Sequence, residues 1–187
     1  IDRIDRNLSE SDIQTRVRLM TRAGMDNNDV ISYLEQHSAS DVGYSLLLGI
    51  YESTDLSKAI GLVKRRMELK KGGFEKRNLT RKLISLYEKL GDKENYKAEL
   101  TRLVITFQYS DIEYVKRLKA ITDPDEWSSD IFFRILDNTQ YIWQRLPLYE
   151  LEGMYDSILT EINEKGNLSD FMKYEKALAE KYPEKSR

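Results

Sequence analysis

Apolar residues recur along the chain at the spacing of a helix and are interrupted at regular intervals. Leu79, Leu83, Leu86, Tyr87 and Leu90 fall at i, i+4, i+7, i+8 and i+11, one face of an α-helix. Tyr96, Leu100, Leu103, Val104 and Phe107 repeat the pattern after a break at Gly91-Asp92. Glycine suits the left-handed residue that ends a helix, where a Cβ is costly. Aspartate suits the start of the next, where its carboxylate accepts the orphan amide hydrogens. The break therefore reads as the turn of an antiparallel helical hairpin. Comparable breaks stand at Gly24 with Asp26, at Thr54-Asp55, at Asp123-Pro124 and at Gly153. They lie roughly 30 to 37 residues apart, the size of a two-helix repeat.

The pattern predicts helices over 10–23, 27–37, 41–53, 56–71, 75–90, 93–108, 111–121, 125–137, 140–152, 154–165 and 168–182. Pro147 sits inside the ninth of these and clashes with the carbonyl of Trp143, so that helix should kink or start late. The run Gln140-Tyr141-Ile142-Trp143 also has strand propensity, with no partner strand in view. One hairpin buries too little apolar surface to offset the entropy of ordering it, so stacking on neighbours must supply the rest. The expected fold is all-α: a right-handed α-solenoid of about five stacked antiparallel hairpins plus a closing C-terminal helix. It would form a single repeat domain over residues 1–187. The first residue is not Met, and the expectation is a piece of a longer chain.

Composition narrows the chemistry. With 40% apolar and 33% charged residues the chain is too apolar for disorder, and no segment is long enough to span a bilayer. The opening residues 1–7 lack the apolar core of a signal peptide, so the expected location is cytoplasmic, with no membrane partner. A net charge of -2 gives no global attraction for nucleic acid. The absence of cysteine removes disulfides, thiolate metal sites and cysteine nucleophiles together.

The turn chemistry resembles that of tetratricopeptide-like repeats. Asp55, Leu56 and Ala59 match the turn and second-helix start of that motif, and Gly153, Tyr155 and Ile158 do so again. Extra residues between Gly91 and Tyr96, and the lack of a repeat-ending proline, depart from it. Residues 55 to 187 also resemble the helical C-terminal region of bacterial SWIM zinc-finger proteins. Tyr114, Leu118, Lys119, Trp127, Tyr149, Gly153, Tyr155, Tyr174, Leu178, Tyr182 and Pro183 carry that likeness. The SWIM motif needs Cys-x-Cys followed by Cys-x-His, and this chain has no cysteine. The resemblance thus implies the metal-free helical region that follows the zinc module, and no zinc ligand carries over. In that family DNA or protein binding is assigned to the zinc module, and the helical part has no established activity.

The residues offer one candidate binding patch. Lys64, Arg65, Arg66, Lys70, Lys71, Lys76, Arg77, Arg81 and Lys82 stand against only Glu68 and Glu75. They read either as a phosphate-contacting or acidic-partner surface, or as a solvated face whose Lys70 and Lys71 complement a helix C-terminus. Cations at the start of the following helix oppose its dipole, which favours the first reading. His37, the only histidine, falls near a helix C-terminus and reads as a capping or surface residue. Tyr44, Tyr51, Tyr87, Tyr96, Tyr114, Tyr149, Tyr155 and Tyr174 recur on apolar faces, either as packing between helices or as a concave aromatic groove for a peptide.

No pattern of catalytic residues accompanies these. Asp123, Asp125 and Glu126 form a helix start rather than an acid–base pair. Calcium loop, phosphate loop and nucleophile elbow are all missing, and no histidine stands by to activate a Ser or Thr. The expectation is therefore a non-enzymatic interaction scaffold without cofactor, binding a protein or peptide partner. The alternative is an auxiliary nucleic-acid-binding module that uses segment 64–82.

Overall fold

The turns are built from the parts the sequence supplies. Gly24, Gly91 and Gly153 adopt φ of 68°, 75° and 65°, the left-handed conformation that lets a helix end and the chain reverse. Asp26, Asp55, Asp92 and Asp123 each accept a hydrogen bond from a backbone N–H two or three residues on. Pro124 occupies the first helical position after Asp123, where its missing N–H costs nothing.

A computed structural model describes residues 8–107 and 111–182, and among these no strand occurs. The opening segment 1–7, the end of the helix expected over 93–108, and Pro183 lie outside them. The helices are α1 (Glu10–Arg22), α2 (Asn27–Gln36), α3 (Asp41–Thr54), α4 (Leu56–Leu69), α5 (Gly73–Leu90), α6 (Lys93–Thr101), α7 (Ile112–Ile121), α8 (Pro124–Glu126), α9 (Phe132–Asp137), α10 (Ile142–Leu151), α11 (Tyr155–Lys165) and α12 (Leu168–Lys181). Two π-helical turns, Arg102–Thr106 and Trp127–Ile131, follow α6 and α8. The chain divides into two compact units between Tyr96 and Lys97.

In the first unit each helix from α1 to α4 packs on the one that follows it, and α1 also packs on α3. Their stripes meet in one core that includes Leu34, Leu47, Tyr51, Val63, Leu83 and Leu86. The contact between α2 and α3 is tight at Gly43, where a Cβ would lie 2.2 Å from the carbonyl oxygen of His37. Tyr51 is buried against this core, and its hydroxyl donates to the Glu35 carboxylate.

In the second unit α10 packs on α11 and α7, and α11 packs on α12. Leu146, Tyr149, Ile158, Ile162, Tyr174 and Leu178 form a core there. The two π turns depart from the plain helices expected over 93–108 and 125–137. The second has a visible cause. Its i→i+5 bond, from Phe132 N–H to Trp127 C=O, brings Phe132 beneath Trp127, with ring centroids 6.2 Å apart and both side chains buried. An ordinary turn would set those two rings on different faces of the helix. The helix carrying Pro147 starts at Ile142, two residues later than the apolar spacing alone indicates. Pro147 is the sixth residue of this helix, beyond its first turn, and supplies no N–H to the Trp143 carbonyl.

Buried polar groups join the helices of the second unit. Glu152 Oε1 accepts from Lys119 Nζ and from Trp127 Nε1, both at 2.9 Å. Glu161, which unlike the half-buried Glu152 is buried, pairs with Arg145 at 3.1 Å, and Arg145 donates to the Tyr149 hydroxyl at 2.7 Å.

Burial, the hydrogen bond to Glu35 and the charge of that carboxylate push the Tyr51 hydroxyl up to about 12 from its ordinary 10.0. The folded chain therefore keeps a proton that the unfolded chain loses above pH 10. This contribution to stability is complete below pH 10 and disappears as pH rises through about 12. In tyrosinate difference spectra between the parent chain and Tyr51→Phe, the missing ionisation should centre near 12. It should move down in Glu35→Gln. A step at the ordinary value in the parent would contradict the assignment.

Candidate functional site

The basic segment occupies the last two turns of α4, the linker 70–72 and the first half of α5, and its nine cations do not form one surface. Arg66 is only 6% exposed. Its guanidinium lies 5.0 Å from the centre of the Tyr44 ring and donates to the Ala39 carbonyl and the Asp41 carboxylate. Arg66 thus ties α4 to the turn between α2 and α3, and does not belong to a solvent-facing patch. The apolar neighbours Val63 and Met67 explain this, because Arg66 shares their stripe and buries its stem beside them.

Two further members are ion-paired. Lys70 meets Glu75 at 2.8 Å, and Lys82 meets Glu52 on α3 at 2.5 Å. Glu52 also attracts Lys89 at 3.7 Å. Lys64 is exposed, with its ammonium 5.7 Å from the centre of the Tyr87 ring. Arg65, Lys71 and Arg81 are exposed, and Lys76 and Arg77 are half-buried. The exposed members of the segment are Lys64 and Arg65 on α4, Lys71 in the linker and Arg81 on α5.

Two apolar side chains flank the linker. Leu69 is 66% exposed and Phe74 is 70% exposed, on either side of Lys70-Lys71-Gly72-Gly73. Charge reading alone passes over them. The signal was present, because Phe74 precedes Leu79 by five residues and so falls off the stripe that Leu79, Leu83 and Leu86 define. A cleft of about 280 Å³ opens beside this corner, lined by Asp41, Tyr44, Ser45, Lys70, Asn78 and Leu79. A second, of about 130 Å³, is lined by Ser38, Ala39, Tyr44, Leu62, Arg65 and Leu69. Arg66 borders both. Burial raises the Tyr44 hydroxyl, and the charge of Arg66 partly opposes that rise.

The remaining candidates fall into structural roles. His37 is the residue that ends α2, its ring 4.4 Å from that of Tyr33. Tyr51, Tyr87, Tyr149 and Tyr174 are buried in the two cores, and Tyr44, Tyr96, Tyr114 and Tyr155 are half-buried. Asp123 accepts from the N–H groups of Asp125 and Glu126, as a helix start does. Among the described residues no group of three or more His, Cys, Asp or Glu side chains is placed to hold a metal ion. No described helix is long and apolar enough to cross a membrane.

No family model matches the chain, and neither does any curated protein or solved structure.

The two kinds of arginine should separate in stability. Arg66→Ala removes a charged hydrogen-bonding group from a buried position and should cost about 2–3 kcal/mol in urea unfolding. Arg65→Ala, one residue earlier and exposed, should stay within about 0.5 kcal/mol of the parent. Equal effects would contradict the bracing role of Arg66.

Proposed function

We propose that this chain is a non-enzymatic helical scaffold that binds a protein or peptide partner at the corner between α4 and α5. In this reading its helices continue as a right-handed solenoid of tetratricopeptide-like hairpins. The chain would be the helical region that follows a SWIM-like zinc module in a longer bacterial protein. The resemblance of residues 55–187 supports that placement, and Leu118, Trp127, Tyr149, Tyr174 and Leu178, which carry it, are core residues of the second unit.

The observation that carries the binding reading is the exposure of Leu69 and Phe74 around the cationic linker. Large apolar side chains held in water beside Lys71 and Arg65 suit a partner that buries them and neutralises the charge. An acidic segment with an apolar face has that chemistry. It would dock its apolar side on Leu69 and Phe74 and its carboxylates on Arg65, Lys71 and Arg81.

A second reading rests on the same exposed cations. They would contact phosphates without reading sequence, as an auxiliary nucleic-acid module would.

One experiment separates the two. The chain and its Lys71→Glu/Phe74→Ser variant are immobilised and exposed to lysate of the native host, and a random duplex is titrated by fluorescence anisotropy. The scaffold reading expects proteins held by the parent to be lost from the variant, with no anisotropy change at low salt. A duplex affinity falling with salt at a logarithmic slope of about −3 to −4 would assign the corner to nucleic acid instead. The same proteins on parent and variant would remove this corner from the account.

A further inference from the structure

The α4–α5 corner suits an acidic surface that carries an exposed apolar group, and the chain itself presents one. Residues 1–96 hold 17 Lys and Arg against 15 Asp and Glu, and residues 97–187 hold 13 against 17, so the two units carry net charges of opposite sign. Within the second unit, Asp123, Asp125, Glu126, Asp130 and Asp137 face only Arg134 over the stretch 123–137. All six of these side chains are exposed.

Phe133 lies inside this acidic run. It is 48% exposed, while its neighbours Ile131, Phe132 and Ile135 are buried. Asp130, Phe133 and Asp137 are three and four residues apart, the spacing of side chains that share a helix face. An aromatic ring thus meets water between two carboxylates. Arg134 pairs with Asp130 at 3.0 Å, and both partners are about half exposed. An ion pair so open to water contributes little, so Asp130 can exchange it for another cation at small cost.

This edge complements the basic corner in kind. The corner offers the exposed apolar groups Leu69 and Phe74, with Lys71 between them in the linker. Arg65 adds a further cation, since it lines one cleft together with Leu69. One surface is cationic and apolar, the other anionic and apolar. Corner on corner, or edge on edge, would set like charges against each other, which is costly at an interface. Corner on edge sets opposite charges together and covers the apolar groups of both.

We infer that the partner of the α4–α5 corner is a second copy of this chain, which docks Asp130, Phe133 and Asp137 on Leu69, Lys71 and Phe74. The inference rests on the reading of that corner as a protein-binding site and names its occupant. The two surfaces differ, so the contact is head-to-tail, and each docked pair leaves one corner and one edge open to further copies.

Sedimentation velocity on the full chain tests this. The average mass of the parent should rise with concentration up to about 200 µM, the weak end of specific association. It should rise less in high salt, which screens the ion pairs. Lys71→Glu/Phe74→Ser, which breaks the corner, and Phe133→Ser/Asp137→Lys, which breaks the edge, should each stay monomeric. Mixed in equal amounts, the two variants should form a one-to-one dimer and nothing larger. The intact edge of the first then meets the intact corner of the second, and no further contact is open. Asp130→Asn/Asp137→Asn keeps the ring and should weaken association about tenfold, the size of effect that loss of interfacial charge pairs gives. It serves if Phe133→Ser disturbs the fold, which circular dichroism checks.

A parent that stays monomeric, an edge variant that associates as the parent does, or a mixture that fails to dimerise overturns the inference. If the parent is monomeric while other proteins are held by it and lost from the corner variant, the corner remains a protein-binding site and only its assignment to a second copy falls. Association that is equal in the parent and the corner variant removes the corner from both readings. Duplex binding by a monomeric parent, undiminished in the edge variant, assigns the corner to phosphate and likewise overturns the inference.

Discussion

Each helix of this chain carries an apolar stripe that it cannot cover by itself, and the structure follows from where that stripe finds cover. In the first unit the cover comes chiefly from the neighbouring helix in sequence, and for α1 from α3 as well. The turns between helices are one to four residues long, too short to reach far along the fold. Gly24, Gly91 and the extended Asp55 reverse the chain, and the aspartates restart it. Antiparallel neighbours then face one another through Leu34, Leu47, Val63 and Leu83, all of them fully buried. The hydrophobic term is general and non-directional. The tight turns make it specific, because they restrict each stripe to helices close in sequence.

Buried polar groups then fix the orientation of the packed helices. Arg66 reaches from α4 to the α2–α3 turn, and Glu152 gathers Lys119 and Trp127 from two other elements of the second unit. Such contacts add little net stability when both partners are present, and much instability when one is removed. They act as constraints on register. A slipped helix would leave the Trp127 N–H or the Arg66 guanidinium buried without an acceptor. The same logic explains why several tyrosines lie at the edge of a core with the hydroxyl turned to a charged group, as Tyr51 does to Glu35 and Tyr149 to Arg145.

What was legible in the sequence follows from how local each signal is. The helices and their ends depend on near neighbours, so Asp123-Pro124 and Gly91-Asp92 announced themselves. Pro147 argued for a kink or a late start, yet α10 begins at Ile142 and still encloses the proline. The π turn at Trp127 was not legible, since it answers the need to bring Phe132 under the indole, which composition does not reveal. Arg66 was read with its charged neighbours because a cation is ordinarily solvated. Its position on the stripe between Val63 and Met67 was the contrary sign. Glu152 and Glu161 gave no sign at all, as their partners are distant in sequence. Phe74 was visible as an apolar residue off the helical period, whereas Leu69 follows the buried Leu62 by seven residues and gave no such sign.

Hydrogen exchange in the native state tests the dependence of each helix on its neighbour most directly. Leu47→Ala in α3 removes a fully buried side chain and should cost about 3 kcal/mol. If the stripes of the first unit are covered only by one another, the slowest amides of α2, α3 and α4 should all lose that same protection together. Loss of protection confined to α3, with α4 and α5 exchanging as slowly as in the parent, would show that these helices hold their fold without it.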